Sequence, residues 1–178
     1  MAAAVTLQCS HVRTVATLQF PVLLHVLPAG VDAVGAGGQG DPFDFRCPQG
    51  AYIHRYRGYV GPARFNWIYG LGPLGCSDGS NSSVLWGSTS SRGKNGVPFD
   101  QGIFRAEFQG LDVAFDNSKA ISKLNFTSCS GGVVGENAFS SFPRSASLRC
   151  PSDMQVVGVH GVADAKSYGL INVGLYCI

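Results

Sequence analysis

The chain has 178 residues, and charged residues make up only 13% of them, about half the usual share of roughly 25%. Its 24 glycines and 45% apolar fraction exclude a helical bundle and a charged disordered segment, since good helix formers are scarce and a core can be filled. A formal net charge of +2 gives no electrostatic reason to expect nucleic acid as a partner, and the length suits one domain. In chain order, residues 1–33 come first, with Arg13 and Asp32 as their only charges. An apolar run from Val15 to Leu27 is broken by Gln19, Pro21 and His25 and is followed by the small-residue site Val31-Asp32-Ala33. That order reads as an export leader over 1–33, ahead of a domain at 34–178. The run is too short and interrupted to span a membrane. Next comes Gly35-Ala36-Gly37-Gly38-Gln39-Gly40, which satisfies the dinucleotide pattern G-x-G-x-x-G. A phosphate site there needs a helix N-terminus, and Asp41-Pro42-Phe43-Asp44-Phe45 cannot open a long helix.

The rest of the chain predicts strands in pairs. Apolar runs at Ala51–Tyr59 and Phe65–Leu74 flank Gly61-Pro62; Ile103–Leu111 precedes Ala120–Thr127; and Gln155–His160 and Leu170–Tyr176 flank Val162-Ala163-Asp164. Cys47 and Cys76 bracket the first pair, and Cys150 and Cys177 the last. If each pair is a hairpin, its cysteines meet at the open end, which predicts disulfides Cys47–Cys76 and Cys150–Cys177. Cys9 falls in the leader, and Cys129 reads as a buried thiol. No C-x-x-C pair supports zinc or thioredoxin chemistry. The sequons at Asn81 and Asn125 become glycosylation sites if the chain is exported.

One segment repeats. Gly37-Gly38-Gln39-Gly40-Asp41-Pro42-Phe43-Asp44 returns as Gly93-Lys94-Asn95-Gly96-Val97-Pro98-Phe99-Asp100, and more loosely as Gly132–Phe139. Two of the hairpins begin with Cys-Pro, at Cys47-Pro48 and Cys150-Pro151, with Gly58 and Gly161 at the same later position. Each unit reads as a small sheet with one apolar face, and three such sheets bury those faces by packing inward around a pseudo-threefold axis.

At these residues the chain resembles a jacalin-related lectin domain. The likeness runs over roughly Gly35–Tyr176 and rests on Gly35–Asp44, its echo Gly93–Asp100, and the ending Val157–Gly161 with Val173–Tyr176. It implies an all-β fold, a β-prism of three Greek-key antiparallel sheets. It also implies sugar binding without catalysis, cofactor or metal, between a Gly-Gly loop and a loop near the C-terminus that carries an aspartate. Carried over, the site comprises Gly37 and Gly38 with Gly161, Val162, Ala163 and Asp164, and Asn66 as an amide in the first unit. The family aspartate itself is replaced by Ile171, with Asn66 and Ser122 in the corresponding places of the other units. The frames Cys47-Pro48-Gln49-Gly50, Cys76–Ser80 and Leu170–Val173 are similar to vitelline membrane outer layer protein, whose family builds extracellular coats on the same prism. The expected partners are therefore glycans or glycoproteins for a secreted module. The alternative is a structural coat protein that self-assembles as a homo-oligomer or coat and has lost monosaccharide recognition.

Catalysis finds little support. His54 and His160 lie in strand runs without a near partner that would suggest a triad. Turn aspartates such as Asp78, Asp112 and Asp164 are expected to bond their own backbone, and no calcium frame appears. Alternation puts Arg55, Arg57 and Tyr59 on one strand face, with Tyr52, His54 and Tyr56 on the other. Ring stacking on a sugar would require Trp67 or Tyr59 to be exposed.

Overall fold

The computed structural model describes residues 29–62, 67–103, 110–115, 120–127, 133–135, 144–166 and 168–178, and these form strands and turns without a helix. Three inner hairpins organise the fold, as the paired apolar runs predict, although the first strand of the middle one meets the expected Ile103–Leu111 run only at Gly110 and Leu111 among the described residues. The hairpins are β3 (Ile53–Val60) with β4 (Ile68–Leu71), β10 (Gly110–Phe115) with β11 (Ile121–Thr127), and β14 (Val156–Asp164) with β15 (Gly169–Cys177). Two outer strands flank each hairpin.

Sheet I adds β1 (Ala29–Gly35) beside β15 and β2 (Asp41–Arg46) beside β14. Sheet II adds β12 (Val133–Gly135) beside β11 and β13 (Arg144–Arg149) beside β10. In sheet III, β6 (Trp86–Gly87) pairs β4, β9 (Val97–Gly102) pairs β3, and β5 (Gly75–Cys76) extends the β4 side. A small hairpin, β7 (Ser90–Ser91) with β8 (Lys94–Asn95), stands in the loop before β9. Three Greek-key sheets of one design result.

The registers coincide. The three hairpins share a bulge at the matching position, Val162/Ala163, Tyr59/Val60 and Ala114/Phe115, and β14–β15 has a second at Val156/Gly158. Ala36 N–H donates to the Ile171 carbonyl at 3.0 Å, and Ser88 N–H donates to the Tyr69 carbonyl at 2.8 Å in the matching place. Phe43 lies opposite Gly161, and Phe99 lies opposite Gly58. A β-carbon at Gly161 would lie 2.9 Å from the Phe43 ring, and one at Gly58 would lie 2.8 Å from the Phe99 ring. Either would fall closer still to a backbone carbonyl of the neighbouring strand. Only glycine admits the phenylalanine there.

Two parts of the expected repeat differ from the observed one. Each glycine turn was expected to precede its own hairpin, but the Gly37–Phe43 segment serves β14–β15 and the Gly93–Phe99 segment serves β3–β4. Sheet I is thus closed by the first and last strands described. The third copy is also out of phase: Gly135 pairs Lys123 as Gly35 pairs Asn172, so Val133–Gly135 is an outer strand rather than a turn. Phe139 lies outside the described residues.

Alternation sends one face of every sheet inward. Tyr56, Ile68 and Leu71 of sheet III meet Leu111, Leu124 and Phe126 of sheet II and Val159, Val173 and Leu175 of sheet I in one buried cluster. The Tyr56 and Phe126 rings are 4.9 Å apart across that core. Both expected disulfides are present, Cys47–Cys76 with Cα atoms 5.7 Å apart and Cys150–Cys177 at 5.6 Å. Their role differs from the expected hairpin closure. Cys47 follows β2 of sheet I while Cys76 lies in sheet III; Cys150 follows β13 of sheet II while Cys177 ends β15 of sheet I. Each therefore joins two sheets. Cys9 and Cys129 lie outside the described residues.

Candidate functional site

The loop from Ala36 to Gly40 joins the outer strands of sheet I across the end of the prism. Ala36 is buried and anchors it, while Gly37, Gly38, Gln39 and Gly40 are exposed. Gly38 sits directly over Ile171, where a β-carbon would be 3.2 Å from the isoleucine side chain. At Gly40 a β-carbon would come within 2.6 Å of the Ala163 carbonyl, so the loop lies against β14 at close range. Among the described residues, neither the Gly37 nor the Gly38 N–H finds a protein acceptor.

The second half of the expected site is more regular than its glycine suggested. Gly161, Val162, Ala163 and Asp164 belong to β14 rather than to a loop, and the connection to β15 begins only after Asp164. Gly161 is covered by Phe43, and Ala163 is 4% exposed. Asp164 remains at the rim, its Oδ1 accepting the Lys166 N–H at 2.8 Å in a side-chain turn.

No carboxylate occupies the position of the family aspartate. Ile171 stands there at 1% exposure, packed beneath Gly38. In sheet II the same position is Ser122, buried at 2% with its hydroxyl donating to the Ala114 carbonyl at 3.2 Å. In sheet III the register assigns it to Tyr69, also 1% exposed, and not to Asn66 as expected. Asn66 itself lies outside the described residues. Burial pushes the Tyr69 phenol above its ordinary pKa, partly offset by the nearby Arg92 charge.

The corresponding end of sheet III is occupied by its own side chains. Here the loop spans residues 88–96, longer than 36–40 by the β7–β8 hairpin, and its tip residue Arg92 adopts φ 49°. Arg92 Nη2 donates to the Tyr168 hydroxyl at 2.7 Å, and its guanidinium lies 4.9 Å from the Tyr168 ring centre and 5.7 Å from that of Trp67. Trp67 is 7% exposed and meets Tyr168 edge-on at 5.4 Å, so it offers no open face for a sugar ring. Tyr59 is half-buried against the same cluster.

The outward sheet faces carry aspartate–arginine pairs. Asp100 takes a bidentate pair from Arg55 at 2.6 Å and a longer contact from Arg57 at 3.3 Å. Hydrogen bonding from Arg55 is the largest cause holding its carboxyl below the usual range. Asp112 was expected to serve a turn, but it lies on β10 and accepts from Ser147, Arg149 and Asn125. On sheet I, the Tyr176 hydroxyl donates to Asp44 while Arg46 lies 3.7 Å over the Tyr176 ring centre. His160 packs beside Tyr176, with Nε2 3.1 Å from the Val31 carbonyl. Sequence reading missed these clusters because their members come from strands far apart in the chain.

The two sequons differ. Asn81 is exposed in the loop after β5, its Nδ2 donating to the Gly79 carbonyl at 3.1 Å. Asn125 is half-buried mid-strand with Nδ2 bonded to Asp112 at 3.2 Å. Among the described residues no three His, Cys, Asp or Glu side chains gather as a metal ion would require.

No protein-family model matches the sequence, and no curated protein matches it. Solved structures do match. Calsepa lectin in complex with a bisected glycan aligns with a TM-score of 0.60 at 19% identity, over 84% of this chain and 97% of that one. Wild-type Malaysian banana lectin gives 0.58 at 18%, over 85% and 98%. The second β-prism domain of RbmC from V. cholerae gives 0.57 at 12%, over 83% and 98%. The fold is a β-prism. It is the architecture of the jacalin-related lectins, as the resemblance implied, and at these identities the likeness speaks for the fold alone.

Proposed function

We propose that the chain is a secreted, non-catalytic carbohydrate-binding module whose contacts are the Gly37 and Gly38 N–H groups and the rim around Asp164. The observation that carries this reading is the exposed pair of backbone donors at Gly37-Gly38, which no protein group among the described residues satisfies. A polyol presents hydroxyl oxygens to such donors, and a rim carboxylate such as Asp164 accepts hydroxyl protons through charge-assisted bonds. The match with a lectin described in complex with a bisected glycan supports a carbohydrate-binding reading of the fold. Two disulfides favour an oxidising compartment, hence export. Ala29, Gly30 and Val31, within the expected leader, pair with β15, so an export cut that leaves sheet I intact falls before Ala29. In an exported chain Asn81 is the sequon open to a glycan.

A second reading, a structural coat protein, is favoured by one specific observation. Ile171, Tyr69 and Ser122 hold all three positions of the family aspartate, and all are buried. The deciding experiment is a glycan array probed with the oxidised, folded protein in multivalent form. Binding to any glycan supports the module. Silence across the array overturns it, leaving the coat reading to be checked by self-association in light scattering.

A further inference from the structure

Apart from Lys123 and Arg144 on sheet II, the described cations divide into two groups by position. On the sheet faces, Arg46 lies beside Asp44, Arg55 and Arg57 beside Asp100, and Arg149 beside Asp112. At the loop end, Arg92, Lys94 and Lys166 are exposed, and none has an ion pair among the described residues. One contact brings the two loops that bear them together: Arg92, on the β7–β8 tip, bonds Tyr168 in the β14–β15 connection. Lys94 sits across that tip, pairing Ser91, and Lys166 is two residues from Tyr168. Asp164, the last residue of β14, has its Oδ1 turned to the Lys166 backbone N–H. Asp41 starts β2 nearby, opposite Ala163.

We infer that this end of the prism takes an anionic glycan, one carrying sulfate or uronic-acid groups, through Arg92, Lys94 and Lys166. The inference rests on the carbohydrate-binding reading and names its ligand class. A neutral sugar site of the family kind needs a carboxylate acceptor, and the three equivalent positions hold Ile171, Tyr69 and Ser122 instead. Beside the Asp164 and Asp41 carboxylates, what this end presents is a larger set of donors. The Gly37 and Gly38 N–H groups and three cations suit a ligand whose oxygens are themselves charged. Arg92 is held in place by its bond to Tyr168 and its position beside two rings, so little side-chain freedom is lost on binding. The other four guanidinium N–H donors remain for a planar or tetrahedral anion. The whole chain carries a formal charge of only +2, so attraction comes from this local surface rather than from net charge.

Titration of a sulfated glucosaminoglycan hexasaccharide, a neutral hexasaccharide and a single-stranded DNA oligonucleotide of equal charge tests the inference. The sulfated sugar is expected to bind, to weaken at about 0.5 M salt, and to be preferred over both others. Replacing Arg92, Lys94 and Lys166 together by Gln should cost on the order of 10–100-fold, as three exposed charge contacts would. The pair K94Q/K166Q, which leaves the Arg92–Tyr168 contact in place, should cost a smaller part of that. Substituting Arg55 and Arg57 by Gln, on the sheet face, should leave binding unchanged. Equal binding of the neutral sugar with no effect of the triple variant overturns the inference while leaving the carbohydrate-binding reading standing. Absence of binding to either sugar overturns the inference, and silence across the glycan array as well ends the carbohydrate-binding reading. DNA bound as tightly as the sulfated sugar overturns the inference in favour of unselective charge attraction.

Discussion

Sheets I and III are locked by the same device, whereas sheet II lacks it. In sheet I the Phe43 ring sits over Gly161, and in sheet III the Phe99 ring sits over Gly58. At the matching place in sheet II, Val113 pairs Ala146. The cysteines divide along related lines. Cys47 and Cys150 follow their outer strands and bond across to the next sheet, but Ile103 stands in the third such position, after β9. Its N–H donates to the His54 carbonyl at 2.7 Å as that of Cys47 donates to Val157 at 2.8 Å. Sheet I is therefore stapled to both neighbours, and Ile103 closes the seam between sheets II and III with an aliphatic side chain that is 6% exposed. One geometry is met by two solutions, a close glycine–aromatic fit and ordinary packing.

The largest effect should come from breaking that fit. Gly58→Val or Gly161→Val places branched carbons where the partner ring and a neighbouring carbonyl already sit. Destabilisation beyond about 4 kcal/mol is expected, read as loss of soluble, cooperatively melting protein. Val113→Ala in sheet II should cost only about 1–3 kcal/mol, since it leaves a small void and no clash. Wild-type-like melting of either glycine variant would remove the proposed lock.

The staples come next. Replacing Cys47 and Cys76 by Ala should lower stability by about 2–4 kcal/mol, through the freedom returned to the unfolded chain. Ile103→Ala, at the unstapled seam, should cost about 2–5 kcal/mol through a cavity. Urea melts of both would show whether packing replaces the cross-link at comparable strength. A negligible loss for Ile103→Ala would mean that the seam is held elsewhere.

How much of this was legible in the sequence follows from the range of each signal. The hairpins are local and were readable from neighbouring apolar runs, whereas the cysteine pairs, 29 and 27 residues apart, were matched through a hairpin closure that the fold replaces by links between sheets. Which glycine turn serves which hairpin was not readable, because β2 pairs β14 from the far end of the chain. The position of the family aspartate could be counted in sheet I, where β15 is one unbroken strand. In sheet III the place before Trp67-Ile68 was read as Asn66, whereas the β3–β4 register, with its bulge between Tyr59 and Val60, gives Tyr69. The cationic end was invisible for a similar reason. Arg92 and Lys166 look unrelated until the Tyr168 contact joins their loops.

The smallest expected effect concerns pH and again separates sheet II from its neighbours. Asp112 ties its three main strands together, accepting from Asn125 on β11 and from Ser147 and Arg149 on β13. Burial is the largest single influence on Asp112 and raises its pKa, but the bonds from Ser147, Arg149 and Asn125 together outweigh it and hold the group below the usual range. A depressed folded pKa means that the carboxylate's contribution is present above about pH 4 and is lost as pH falls through the folded value. Acidification from about pH 5 to about pH 2 should therefore loosen β10, β11 and β13 before the disulfide-bound parts of sheet I. Amide exchange across that range should show protection falling first in sheet II. Asp112→Asn should flatten the dependence more than Asp100→Asn, because Asp100 is held by arginines alone on a more exposed face. Simultaneous loss in all three sheets would mean that the seams couple them so tightly that the missing lock in sheet II has no separate consequence.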